Sequence, residues 1–87
     1  MTDERIEELC DEFDRLIELH GEYEEVVDLN DGETRECWER IMRLVDRLSP
    51  RVAKLRVSDG SDKQLVDDVE MKIESLDEAY GELAELM

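Results

Sequence analysis

The chain has 87 residues, of which 27 are Asp or Glu and 11 are Lys or Arg, giving a formal net charge of −16. This size allows one domain, near the lower limit at which a core supports folding unaided. The acidity argues against direct contact with nucleic acid or an anionic membrane, because the summed field repels phosphate. Apolar residues make up 40% of the chain and aromatic residues 5%, with four Gly and one Pro. The apolar positions are periodic, which separates the sequence from acidic disordered chains and points to helices.

The first segment spans about residues 3–29. Thr2 is the expected N-cap, and Asp3 and Glu4 suit the positive end of the helix dipole. The start, MTDER, lacks the apolar stretch of a secretory signal, and no apolar run exceeds two residues, which excludes a membrane-spanning helix. Inward positions read Ile6, Leu9, Phe13, Leu16, His20, Tyr23 and Val27, with Cys10, Ile17 and Val26 expected to widen the seam. Residues 1–29 carry twelve carboxylates against Arg5 and Arg15. Asn30-Asp31-Gly32 ends the segment, with Gly available for a left-handed cap.

The second segment, about 34–57, places Trp38, Ile41, Val45, Leu48, Val52 and Leu55 on one face. Pro50 lies within it. One reading starts a new helix at Pro50 with Ser49 as cap; the other keeps a single helix, kinked where Pro50 removes a donor and crowds the Asp46 carbonyl. The seam stays in phase across Pro50, which favours the continuous helix. This is the basic segment of the chain: residues 33–57 carry seven cations against four carboxylates. Arg40, Arg43, Arg47, Arg51 and Lys54 fall within an arc of about 80° at 100° per residue.

Ser58-Asp59-Gly60-Ser61 forms the second turn, with Ser61 or Asp62 as the next N-cap. The third segment, about 62–86, reads Val66, Val69, Ile73, Leu76, Tyr80, Leu83 and Met87, flanked by Leu65 and Ala79. Three matched segments with short turns predict one all-α domain, an antiparallel up-down-up three-helix bundle over residues 1–87. The alternative is a helical hairpin that dimerises into a larger bundle.

Register then bears on candidate sites. A turn near Asp31-Gly32 leaves Cys10 and Cys37 about 24 Å apart along the axis at 1.5 Å per residue, beyond disulfide reach. Free thiols suit a reducing compartment, so the expected location is the cytoplasm, or a virion assembled there. A turn near Gly60 puts Trp38 level with Gly81, which is expected to make room for the indole, with Tyr23 and Tyr80 in the neighbouring layer. An exposed, interface-anchoring Trp38 is the competing reading. His20, the single histidine, is expected as a partly buried, hydrogen-bonded seam residue; a pH switch or metal ligand is the sharper alternative.

No HxxxH or CxxC spacing is present. DLNDGE places its Gly at the fifth position from Asp28 instead of the sixth, and VSDGSD lacks an initial Asp, so neither turn is a calcium loop. No phosphate loop or nucleophile–base pattern appears, and a narrow bundle offers little concavity for paired carboxylates. The expectation is a protein that is not an enzyme and uses no cofactor or metal.

Charge is the informative feature. The arginine stripe is expected to pair with carboxylates of the flanking helices and so fix helix order; an exposed stripe for an acidic partner is the other reading. Glu4, Glu8, Glu18, Glu22, Glu25, Asp67, Glu70, Glu74, Asp77 and Glu78 lie outside any core and form the candidate interaction surface. Their bland reading is a solvated face, and abundant carboxylates with eight Arg and three Lys resemble the surface composition of proteins from halophilic archaea or their viruses. Two functions follow. One is a small interaction module (an adaptor, assembly factor or virion component) docking a basic protein or a helix-presenting assembly, in a complex that survives salt through apolar contacts. The other is an acidic nucleic-acid mimic of the anti-defence type, whose binding weakens steeply with salt and competes with DNA. A homo-oligomer is a further expected form of partnership.

Overall fold

The computed structural model describes residues 4–58 and 60–87, so Thr2, Asp3 and Asp59 lie outside the described residues. Three helices account for the fold: α1 (Glu4–Val26), α2 (Gly32–Arg56) and α3 (Lys63–Leu86). Cross-helix pairs fix the topology. Arg5 meets Glu70, and Tyr23 stacks on Tyr80, so α1 and α3 run in parallel. Arg40 pairs with Glu82 and Arg51 with Asp68, so α2 runs antiparallel to α3. The result is the up-down-up bundle, with principal extents of 47 × 19 × 18 Å.

Local chemistry sets the ends. α1 stops at Val26, three residues before the expected end. Asp28 captures the Asn30 amide with its own carboxylate at 3.0 Å and opens a turn, which competes with helix continuation. Asp31 caps α2 by accepting from the Glu33 amide at 3.1 Å. Gly32 is therefore the first residue of α2 and takes no left-handed conformation; the expected glycine cap is replaced by an aspartate cap. The left-handed glycine is Gly60, with φ of 86° in the second turn. Asp62 caps α3 through the Leu65 amide at 3.2 Å.

α2 is continuous through Pro50. Both Pro50 and Asp46 are exposed, so the carbonyl that loses its donor is on the solvent-facing side, where an unmade helical bond costs less. One residue earlier, the Ser49 hydroxyl donates to the Val45 carbonyl at 2.8 Å.

The core follows the three seams. Ile6, Leu9, Phe13 and Leu16 are buried in α1, Ile41, Leu48, Val52 and Leu55 in α2, and Val69, Ile73, Leu76 and Leu83 in α3. Each fully buried large side chain contributes about 1.5–3 kcal/mol relative to exposure. Three expected inward positions fail. The flank residues Ile17 and Val26 and the seam residue Met87 are exposed, the last two at 62% and 53%, while Thr34, Cys37 and Leu44 extend the α2 seam. Thr34 lies four residues before Trp38 on the same helical stripe, so the period reaches one turn further than the apolar residues alone suggest.

Candidate functional site

Trp38 is buried, but not against Gly81. A Cβ built on Gly81 would meet nothing within 4 Å, so that glycine makes no room for the indole. Trp38 instead stacks on His20, with ring centroids 4.4 Å apart and planes 19° from parallel. The Nδ1 of His20 lies 2.9 Å from the Tyr80 hydroxyl, and Tyr80 stacks on Tyr23 at 5.9 Å. These four rings tie all three helices together near the α1 C-terminus. Burial pushes the Tyr80 phenol well above its usual range, so the hydroxyl stays protonated. This is a satisfied structural cluster, with the Cys37 thiol donating weakly to the Ala79 carbonyl at 3.5 Å.

Cys10 and Cys37 are both buried and free. Burial raises the Cys10 thiol pKa, and nearby Asp14 and Asp11 add to the rise while Arg56 opposes it. A thiol held protonated in the core is a packing group, not a nucleophile.

The basic stripe divides. Arg40 pairs with Glu82, whose hydrogen bond raises the Arg40 pKa, and Arg51 pairs with Asp68. Asp68 is shared, because its Oδ1 also accepts from Lys72 at 2.6 Å. Arg43, Arg47 and Lys54 make no ion pair among the described residues. The stripe therefore fixes α2 against α3 through two of its five members. The 80° arc explains this: its inner edge reaches the α2–α3 seam and its outer edge faces solvent. Pairs outside the stripe were not apparent from the sequence. Arg56 reaches Asp14 at 2.5 Å across the α1–α2 seam, and Arg5 bridges Glu70 and, at 3.4 Å, Asp67.

Of the ten candidate acidic residues, Asp67 and Glu70 are thus engaged by Arg5. Glu4, Glu8, Glu18, Glu22, Glu25, Glu74, Asp77 and Glu78 are exposed and make no ion pair among the described residues. Glu8 and Glu74 line a groove between α1 and α3, together with Arg5, Glu12 and Glu70. Among the described residues, no group of three or more His, Cys, Asp or Glu is arranged to hold a metal ion. No helix among them is long and apolar enough to cross a membrane.

One further surface was not singled out by the periodicity. Val26 is the last residue of α1 and Leu29 lies three residues beyond it, while Leu86 ends α3 and Met87 caps it, so all four sit at the same end of the bundle. They are 62%, 48%, 38% and 53% exposed. Glu22, Glu25 and Glu85 are exposed nearby in sequence. The signal for this end lay in apolar residues placed where the seams run out.

Comparison with protein-family models, curated proteins and solved structures finds no match to this chain.

Proposed function

We propose that the chain is a small, non-enzymatic protein–protein interaction module acting in the cytoplasm, or in a virion assembled there. Its docking end is the apolar tip formed by Val26, Leu29, Leu86 and Met87, and the partner is a basic protein steered by the acidic outer faces of α1 and α3. The observation that carries this reading is the coincidence of exposed apolar residues with a carboxylate-rich border at one end of a rod. Apolar contact supplies affinity that persists in salt, while the unpaired carboxylates supply approach rate and orientation. The same weakly compensated surface suits a salt-rich cell, where the Debye length falls to about 3 Å at 1 M and self-repulsion is screened.

The test is capture from a host extract with the full chain as bait, compared with a Val26→Ser/Leu86→Ser bait. Both side chains are exposed, so the variant keeps its fold. Loss of the partner with the variant supports the module, and equal capture by both baits removes the apolar tip from the account.

The second reading, an acidic mimic of nucleic acid occupying a basic groove, has its own supporting observation. Rows of unpaired carboxylates run along a rod 47 Å long and 18–19 Å across. It requires competition with duplex DNA and a steep salt response.

A further inference from the structure

We propose that the outward half of the α2 basic stripe, centred on Arg47 and Lys54 with Arg51 and Lys72 beside them, docks an acidic helical segment of a partner protein. This surface is separate from the apolar tip and the acidic faces, so the two proposals stand or fall independently.

The stripe is locally frustrated. In a chain with 27 carboxylates and 11 basic residues, a cation has many acids available to it. Arg5, Arg15, Arg40, Arg51, Arg56 and Lys72 all find one. Arg35, Arg43, Arg47, Lys54 and Lys63 are exposed and make no ion pair among the described residues, and of these Arg47 and Lys54 are the two that flank Arg51 on the stripe. Beside them, Arg51 and Lys72 share the single carboxylate of Asp68. The patch thus sets four cations against one contacting anion. The crowding shows in Lys72, whose pKa is lowered first by burial and then by the positive charges of Arg51 and Arg47. An arriving carboxylate would relieve that repulsion.

The shape of the patch selects the partner. Arg47 and Arg51 are four residues apart, which places their Cβ atoms about 6 Å apart on one face, and Lys54 continues the row one turn later. Carboxylates spaced at i and i+4 on a facing helix match this row. Half-buried Leu44 lies one turn before Arg47, and Met71, adjacent to Lys72, is 69% exposed, so apolar contact is available beside the charges. A long polyanion would also meet the acidic rows of α1 and α3, whereas a short segment meets the patch alone. At physiological ionic strength the Debye length is about 8 Å, so the patch acts at contact while the net charge of the chain is largely screened.

The probe is a fluorescently labelled helical peptide of Ala with Glu at i and i+4, titrated with the full chain and followed by anisotropy. The expected result is saturable binding that weakens about tenfold in the Arg47→Glu/Lys54→Glu variant. Both side chains are exposed and without ion-pair partners among the described residues, so the variant should retain the wild-type helical circular dichroism, which is checked alongside. The single variant Lys54→Gln should give an intermediate affinity. Absence of binding, or equal binding by the double variant, overturns the proposal. Concentration-dependent self-association of the chain that the double variant abolishes also overturns it, because the stripe then belongs to a second copy.

Discussion

His20 and Tyr80 join α1 to α3 through a 2.9 Å contact between imidazole Nδ1 and the phenolic oxygen, while the other ring stack of His20 holds Trp38 of α2. One side chain therefore links all three helices. Tyr80→Phe keeps the ring and its stack on Tyr23 but removes the hydroxyl, leaving a part-buried imidazole nitrogen without its partner. The expected destabilisation is about 1–2 kcal/mol, read from urea unfolding midpoints. A double-mutant cycle with His20→Ala should return a coupling of about 1 kcal/mol, and additive effects would show that the contact contributes nothing.

Two glycines lie inside helices with open space where a Cβ would stand. Gly21 and Gly81 are exposed, and a Cβ on either meets nothing within 4 Å. Gly21→Ala and Gly81→Ala should each stabilise the fold by about 0.5–1 kcal/mol, since alanine orders at lower entropic cost in a helix. Destabilisation by Gly81→Ala would restore the idea that this glycine accommodates Trp38.

Pro50 interrupts the hydrogen-bond ladder of a helix that nonetheless continues. Pro50→Ala restores a donor for the Asp46 carbonyl on an exposed face. A gain of about 1–3 kcal/mol is expected, with increased helical circular dichroism. A loss would mean that the fixed backbone angle of Pro50 contributes more than the restored hydrogen bond.

Alkaline pH should unfold the protein through its buried acids. Burial raises the pKa of both Cys10 and Tyr80 in the folded chain. Each group therefore ionises first in the unfolded state, so its contribution is fully present below the unfolded pKa and is lost as pH rises beyond it. The decline begins near the ordinary thiol value of about 8.5 and gains the Tyr80 contribution above about 10. Lys72 works in the opposite direction. Its lowered pKa means the unfolded state holds more protons in that window, which favours the fold as pH rises. Lys72→Met should steepen the alkaline decline, and Cys10→Ala should flatten its early part, as followed by urea titration at each pH.

Much of this architecture was legible in the sequence because it depends on period and turn position. The alternating three- and four-residue spacing located the three seams, and the turn near Gly60 set α2 against α3 closely enough to bring Arg40 beside Glu82 and Arg51 beside Asp68. Position around each helix was harder to read. The turn register sets Trp38 level with Gly81, yet Trp38 stacks on His20 of α1. A level match is necessary for contact but leaves the angle open. The early stop of α1 depended on Asp28 bonding the Asn30 amide, a local competition that a seam ending in Val27 conceals. The candidate docking tip was least visible, because exposure at helix ends follows from where the neighbouring helices stop.

The salt and DNA response of the captured complex tests the functional account most directly. The partner is retained on the full chain, the resin is washed at about 1 M salt, where the Debye length is about 3 Å, and a parallel sample receives excess duplex DNA at low salt. An apolar tip predicts that the partner stays bound through both treatments. Release by salt together with displacement by DNA would contradict it and assign the acidic faces to nucleic-acid mimicry.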